Sequence, residues 1–166
     1  FKDCNNALKE SNGDINKAIE ILRVKGIAKA SKKMSRDAKE GVIALSGDHS
    51  KTSVLEVNCE TDFVAKNEEF INFVEEVSQL SLAASGKMED ILQSEMKNKK
   101  KVKDNLVGLV SKIGEKITLR RSAFIGNDKL LNFSYTHAAI KKNIGKLGVL
   151  LSIDTTKEKK RHNWFR

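Results

Sequence analysis

The chain has 166 residues, and its 31 lysines and arginines outnumber its 22 aspartates and glutamates, which gives a formal net charge of +9. A chain of this length buries enough surface to fold without a disulfide or a metal, and no apolar run approaches the roughly 20 residues of a transmembrane helix. The two cysteines, Cys4 and Cys59, form no CxxC pair, which fits a reducing cytosol and argues against a zinc site.

The basic excess has two interpretations. It suggests a polyanionic or acidic partner, but a lysine-rich surface that is simply solvated is the more common case. Lysines cluster within residues 97–103, and basic residues cluster again within 157–161. Neither cluster contains interleaved aromatic residues on which nucleic-acid bases could stack, and aromatics make up only 5% of the chain.

Residues 1–26 have the pattern of a helical hairpin. The Asn12-Gly13 pair predicts the end of a first helix, because glycine adopts the left-handed conformation at little cost. Asp14 is a suitable N-cap for a second helix, and we expect that helix to end at Gly26. The apolar positions of the second helix recur at helical spacing and predict its buried face: Ile15, Ala18, Ile19 and Leu22. The polar and basic residues 27–40 then predict a solvated linker with some helical character.

The periodicity changes after Gly41. Two β-branched apolar runs, "VIALS" and "SVLEVNC", flank the turn-forming stretch "GDHSKT" and predict a β-hairpin. A helix follows, for which Asn67 is a plausible N-cap. Its apolar face comprises Phe70, Phe73, Val74, Val77 and Leu80.

The stretch "ETDFVAKN", residues 60–67, lies between this hairpin and this helix. Phe63 is then either the first core residue of the helix or a side chain held out for a partner. Because the helix has an aromatic core face of its own, the first interpretation loses weight. Asp62 and Lys66 stand four positions apart and predict an ion pair on a helix surface.

The remaining residues predict one or two helices over 86–112, with a glycine stop at Gly114, followed by three strands. The strand-like runs are "KITLRRSAFI", "KLLNFSYTHA" and "KLGVLLSID". Between the first two, "GNDK" predicts a tight turn. The sequence as a whole predicts an α+β fold in which an antiparallel-sheet core with inserted helices follows a small helical module.

The sequence contains no motif for covalent chemistry. It has no Walker-type phosphate loop, no GxSxG motif and no histidine pair with metal-ligand spacing. His49 falls in a predicted turn, and His137 is more simply a polar strand residue than a base. We therefore expect no enzymatic activity, no metal site and no cofactor.

Four stretches, in this order, resemble the elongation factor Ts family. Each motif alone is moderately specific, the four in this order are specific, and the resemblance runs from residue 1 to about residue 154. They are "NGDINKAIEILRVKGIAKASKK" (12–33), "VNCETDFVAKN" (57–67), "SKIGEKITLRR" (111–121) and "GKLGVLLSI" (145–153).

The resemblance implies a domain organisation. Residues 1–26 would be a ubiquitin-associated-like helical module without its first helix, and 27–40 a linker. Residues 41–137 would be the first core subdomain, and 138–156 the truncated start of a second one. Residues 157–166 do not resemble the family's pattern, so we expect a non-family tail there.

The resemblance also implies a partner and contact residues. Family members exchange the nucleotide of elongation factor Tu, and their Asp-Phe pair, here Asp62 and Phe63, presses into the GTPase domain beside the magnesium site. Thr61 and Val64 belong to the same motif. An Ile-Gly pair, here residues 113 and 114, forms a second contact, where glycine permits close backbone approach. The module's helices, around residues 15–26, contact the same domain.

The implied function is guanine-nucleotide exchange in translation elongation, in a cytoplasmic protein of bacterial type or its organellar counterpart. Direct nucleic-acid binding and membrane association are not expected. Two alternatives remain. One is a basic RNA-binding α+β protein, whose binding would fall steeply with salt. The other is a generic helical adaptor carried by residues 1–26.

Overall fold

The computed structural model describes residues 2–126 and 129–154. The predicted tight turn at 126–129 lies partly outside these residues. The predicted non-family tail at 157–166 lies wholly outside them. The helices are α1 (Lys2–Glu10), α2 (Ile15–Lys33), α3 (Asp62–Ala65), α4 (Glu68–Ala83), α5 (Met88–Gln93) and α6 (Val102–Ile113). The strands are β1 (Glu40–Gly47), β2 (Lys51–Cys59), β3 (Ile117–Gly126), β4 (Leu130–Lys141) and β5 (Ile144–Asp154). The predicted α+β class with an antiparallel sheet is confirmed.

The five strands form one antiparallel sheet in the order β3-β2-β1-β5-β4. Helix α4 packs against β1 and β2. Its buried side chains, with Phe70 fully enclosed, meet Leu55 and Val57 from the sheet in a single apolar core. The predicted β1–β2 hairpin is confirmed, with Glu40 opposite Cys59 and Gly47 opposite Thr52.

The hairpin implied by a tight turn between β3 and β4 does not form. These strands lie at opposite edges of the sheet, and β4 pairs with β5. The inner edge of β3 is already paired along its length with β2, from Cys59–Ile117 to Lys51–Gly126. The chain therefore crosses from one edge to the other, and β5 joins β1 only at Ile43–Gly145 and Ala44–Ile144.

The β4–β5 hairpin presents one apolar face to solvent. Cross-strand partners on this face are Leu131–Ile153, Phe133–Leu151, Tyr135–Val149 and His137–Leu147. The apolar members of these pairs are all exposed. Asn132 on the opposite face is buried, and its amide donates to the Ile125 carbonyl at 3.0 Å while its own backbone N–H donates to the His49 carbonyl at 2.7 Å. Asn132 thus fastens the hairpin to the rest of the sheet.

The N-terminal helices differ from the prediction in two respects. Helix α2 does not end at Gly26 but continues to Lys33, because the alanine- and lysine-rich residues that follow are good helix formers and Ala30 is buried. Gly26 instead marks a close approach, since a Cβ there would lie 3.3 Å from the Ser111 hydroxyl of α6. The first half of the expected linker, residues 27–33, is therefore helical, and the 26/27 boundary falls inside α2.

The predicted apolar face of α2 is only partly buried. Ala18 is enclosed, but Ile15 and Ile19 are 68% and 58% exposed. Helix α2 packs on α1 and α6, and its two buried residues are the small side chains of Ala18 and Ala30, so the larger isoleucines fall outside the contact. The Asp14 cap is confirmed, with its carboxylate accepting from the Lys17 N–H at 3.1 Å. The ubiquitin-associated-like assignment stays a prediction.

Candidate functional site

Helix α3 is a single turn anchored from the core. Thr61 is its N-cap, and the threonine hydroxyl accepts a hydrogen bond from the Val64 N–H at 3.4 Å. Val64 and Ala65 are buried beneath the turn. Asn67 then caps α4 as predicted, accepting from the N–H groups of Glu69 and Phe70. The turn is therefore held by burial on its inner side and by side-chain caps at its start and just after its end.

Phe63 points away from this anchored turn. Its side chain is 82% exposed, whereas Phe70 in the next helix is completely buried. Burying a phenylalanine side chain stabilises a protein by about 1.5–3 kcal/mol. The fold of this chain gains little of that free energy from Phe63, because the ring stays in water. Phe63 is thus not the first core residue of α4.

Asp62 lies beside Phe63 on the turn and pairs with Lys66 as predicted. The lysine ammonium donates to the aspartate carboxylate at 2.9 Å. This hydrogen bond and the positive charge of Lys66 hold the pKa of the Asp62 carboxyl below its ordinary value. Asp62 is therefore an ionised, solvent-accessible carboxylate next to an exposed aromatic ring.

Ile113 and Gly114 form the end of α6. Gly114 is the helix C-cap in the left-handed conformation, at φ +88°, which confirms the predicted glycine stop. In the part of the chain that the structure describes, chain neighbours aside, a Cβ at this position would meet only the Lys33 amino nitrogen, at 3.6 Å. Ile113 is half-buried and packs against the core, so the approachable part of this pair is the glycine backbone.

The two predicted contact motifs are joined by Glu115. Its carboxylate accepts a hydrogen bond from the Thr61 N–H at 3.1 Å and from the Thr61 hydroxyl at 3.0 Å. Thr61 immediately precedes Asp62, and Glu115 immediately follows Gly114. The structure therefore brings together the stretches 61–64 and 113–114, which are far apart in the sequence.

Glu60, the residue before Thr61, makes a second connection between the same two segments. Its carboxylate accepts from the Lys116 backbone N–H at 2.5 Å and from the Arg36 guanidinium at 3.3 Å. The Lys116 N–H and the Arg36 group hold the pKa of the Glu60 carboxyl below its ordinary value. Lys33, in the last turn of α2, donates to the Gly114 carbonyl. The C-terminal end of α2 and the residues just after it are thus attached to the same place.

Sequence reasoning found the displayed residues but missed the residues that hold them. Among the six predicted contact residues, Phe63, Asp62 and the Gly114 backbone are accessible, while Val64 is buried and Thr61 is engaged by Glu115. The residues that were missed are Lys33, Arg36, Glu60 and Glu115. The position of Glu115 directly after a glycine stop was the available signal, but nothing local connects it to Thr61.

Within residues 2–126 and 129–154, no group of three or more His, Cys, Asp or Glu side chains is placed to hold a metal ion. In the same ranges, no helix has both the length and the apolar character to cross a membrane. Cys59, next to the turn, is fully buried, and this burial raises the pKa of its thiol to about 12.

Comparisons with known proteins identify the family that this chain resembles. Residues 60–163 match the family model described as elongation factor TS; the match includes 157–163, which we expected to differ from the family. The chain is 40% identical to elongation factor Ts of Rhizobium etli over 162 residues, 97% of this chain and 53% of that protein. It is 43% identical to elongation factor Ts of Clostridium kluyveri over 161 residues, 94% of this chain and 51% of that protein.

A third relative, elongation factor Ts of Xanthobacter autotrophicus, is 41% identical over 155 residues, 93% of this chain and 50% of that protein. The chain spans about half the length of the curated relatives it matches. The family match covers the Thr61–Gly114 site and all of the sheet after β2. This chain belongs to the elongation factor Ts family.

Proposed function

We propose that this chain acts in translation elongation as a nucleotide-exchange factor, binding the GTPase domain of elongation factor Tu in its GDP form and promoting release of GDP. The observation that carries the proposal is the display of Phe63, 82% exposed, on a turn anchored by Val64 and Ala65. Family membership supplies the partner, since relatives bear the name elongation factor Ts. No covalent bond is made or broken.

The energetics require more than one contact. An exchange factor weakens GDP binding by binding the nucleotide-free partner better, and this coupling is reciprocal. A weakening of ~10⁴ needs roughly 5.5 kcal/mol of differential binding. Burial of Phe63 supplies only about 1.5–3 kcal/mol. The remainder comes from loss of the partner's magnesium ion, because that ion neutralises the diphosphate.

Asp62 contributes at the same place. It carries an ionised carboxylate, since Lys66 keeps its pKa low. Next to a diphosphate and a magnesium ion, this carboxylate repels the phosphates or competes for the metal's ligand positions. Phe63 then acts as the apolar wedge, and Asp62 acts as the charge that disturbs the ion.

Gly114 and α2 extend the contact. Among the described residues beyond its chain neighbours, a Cβ at Gly114 would meet only the end of the Lys33 side chain, so the partner can approach the glycine backbone closely. The exposed Ile15 and Ile19 on α2 offer further apolar area for the same domain. These contacts add affinity, and the Asp62–Phe63 turn adds the effect on the nucleotide.

The direct test measures release of fluorescently labelled GDP from bacterial elongation factor Tu as this chain is added. We expect release to accelerate with the concentration of the chain and to saturate. The matched control is the Phe63→Ala variant, which we expect to lose most of the acceleration. Release that is equally slow with and without the native chain would rule out the proposed function.

The RNA-binding alternative is tested by measuring RNA binding beside GDP release, each at low and at high salt. A basic RNA-binding protein would bind single- or double-stranded RNA with an affinity that falls steeply between about 50 and 200 mM salt. The exchange factor instead recognises its partner partly through apolar burial, so its activity should survive that change in salt. RNA binding without GDP release would favour the alternative.

A further inference from the structure

We infer that Glu115 is a positioning residue that locks the Asp62–Phe63 turn to the end of α6, so that the two proposed partner contacts are presented as one preorganised unit. The inference rests on the proposed function for its consequence, but the lock itself is a property of this chain alone. It assigns a role to a residue outside the predicted contact set.

The geometry of the carboxylate supports this role. Glu115 accepts from both donors of Thr61, the backbone N–H at 3.1 Å and the hydroxyl at 3.0 Å. Because the hydroxyl proton is committed to Glu115, the oxygen lone pairs of Thr61 are directed to the Val64 N–H. One carboxylate thus fixes both the position of the N-cap residue and the orientation in which it caps α3.

Glu115 itself stands on a fixed base. It follows Gly114, whose left-handed conformation ends α6 and whose carbonyl accepts from Lys33. The next residue, Lys116, is held through its N–H by Glu60. Since Glu60 and Thr61 are neighbours, the segments 60–61 and 115–116 are joined by hydrogen bonds donated from each segment to the other.

Loss of the Glu115 carboxylate is expected to change how often Phe63 is held in its binding orientation, and not which contacts Phe63 makes once it is bound. Without Glu115, Val64 and Ala65 remain buried beneath the turn. Thr61 keeps the hydrogen bonds that its carbonyl accepts from Cys59 Sγ and the Ala65 N–H, but it loses both hydrogen bonds that connect it to the end of α6. If only about a tenth of the molecules then hold Phe63 in the binding orientation, the apparent affinity falls about tenfold. Once bound, the turn makes the same contacts, so the maximal rate of GDP release stays unchanged.

The first experiment needs no partner. Amide hydrogen exchange of Thr61 and Val64 is measured by NMR in the native 166-residue chain and in Glu115→Ala, Glu115→Gln and Glu89→Ala variants. Glu89 is an exposed glutamate on α5 and serves as the matched control. We expect exchange at Thr61 to accelerate at least about tenfold in Glu115→Ala and less in Glu115→Gln, whose amide retains one accepting oxygen.

Thr61 provides a second pair of variants should Glu115→Ala fail to fold. Thr61→Ser keeps the hydroxyl and should leave the Val64 exchange rate as in the native chain. Thr61→Val keeps the shape without the hydroxyl and should accelerate it. Two results would overturn the positioning role. One is that the Thr61 and Val64 amides of Glu115→Ala exchange hydrogen as slowly as those of the native chain. The other is that the Val64 amide exchanges at the same rate in Thr61→Ser and Thr61→Val.

The second experiment titrates GDP release from elongation factor Tu against each variant. Glu115→Ala should raise the half-saturating concentration about tenfold with an unchanged maximal rate, whereas Phe63→Ala should lower the maximal rate. A lower maximal rate in Glu115→Ala would overturn a role confined to positioning. If the native chain does not accelerate GDP release, the proposed function fails. The amide hydrogen-exchange measurement then still decides the role of Glu115.

Discussion

The ammonium group of Lys33 donates a hydrogen bond to the carbonyl oxygen of Gly114, which lies 81 positions further along the chain. Lys33 lies in the last turn of α2, and Gly114 is the left-handed C-cap of α6. A cation at this point meets the negative ends of two helix dipoles. The bond ties the helical module to one of the two proposed partner contacts.

Gly114 ends α6 in the left-handed conformation and is proposed to contact the partner. Two different substitutions separate these roles. Gly114→Val forces a β-branched residue into the left-handed region and should cost roughly 1–2 kcal/mol of stability. Gly114→Asn adds a side chain that tolerates this region, so stability should nearly hold while affinity for elongation factor Tu falls. The measurements are chemical denaturation and a binding titration of both variants.

Gly13 supplies the control for Gly114. It too has a positive φ, +83°, and among the described residues no heavy atom beyond its chain neighbours lies within 4 Å of the position that a Cβ would take. Gly13→Val should therefore cost similar stability without weakening the partner contact. Unchanged affinity in Gly114→Asn would remove this glycine from the proposed interface.

Phe63→Ala should separate function from stability. Because the ring is 82% exposed, we expect the free energy of unfolding to change by no more than about 0.5 kcal/mol. We expect GDP release to slow by about 10- to 100-fold, the equivalent of one lost phenylalanine contact. Thermal melts and release kinetics on the same preparation give both values.

Phe70→Ala is the contrasting variant. The ring of Phe70 is fully buried in the core, so its loss should cost about 3–5 kcal/mol of stability. If Phe63→Ala destabilised the fold as Phe70→Ala does, Phe63 would be a packing residue and the wedge proposal would fail.

Cys59 should make the stability of the chain fall at alkaline pH. Burial raises the pKa of its thiol from 9.0 to about 12, so between these values the unfolded chain releases a proton that the folded chain keeps. The stabilisation is complete below about pH 9 and is lost as pH rises towards about 12. This group steepens the decline by at most about 1.4 kcal/mol per pH unit.

The measurement for Cys59 is the free energy of unfolding at about pH 8 and about pH 10.5, on either side of the unfolded thiol's pKa, in the native chain and in Cys59→Ala. The variant is less stable at both values because it leaves a small cavity, but its decline with pH should be shallower. A Cys4→Ser variant, altered at the exposed thiol, should decline like the native chain. Parallel declines in all three proteins would contradict the raised pKa.

The apolar face of the β4–β5 hairpin should bind hydrophobic dyes in the folded state. Phe133 and Leu151 face each other across the strands, and both are exposed. Phe133→Lys should lower the fluorescence of bound anilinonaphthalene sulfonate and the light scattering of concentrated samples. Ser134→Lys adds the same charge next to this position without removing apolar area, so dye binding there should stay at the native level.

Local features of this fold were predictable, and remote ones were not. The caps at Asp14 and Asn67 and the stop at Gly114 follow from short-range preferences of residues for helix ends, and the structure confirms each. The exposure of Phe63 was predictable only because α4 has its own aromatic face. The helix end expected at Gly26 was wrong, because α2 continues to Lys33. A glycine at this position allows α2 to approach Ser111 of α6 closely.

The arrangement of strands had no comparable local signal. A turn-like sequence at 126–129 suggested that β3 and β4 are neighbours, yet β2 already occupies the inner edge of β3. The contact between Thr61 and Glu115 is similarly remote. Side-chain pairs of this kind depend on how helices and strands stack, which the periodicity of a single segment does not specify.

The order of the strands also bears on how the chain reaches its folded state. Strands β1 and β2, and strands β4 and β5, pair through short connections, so each hairpin is able to form early. The join between Ile43 and Gly145 must close a loop that contains α3 to α6 and β3, and the entropy of that closure delays it. The pairing of β1 with β5 at the centre of the sheet is therefore expected to form late in folding, after the β1–β2 and β4–β5 hairpins.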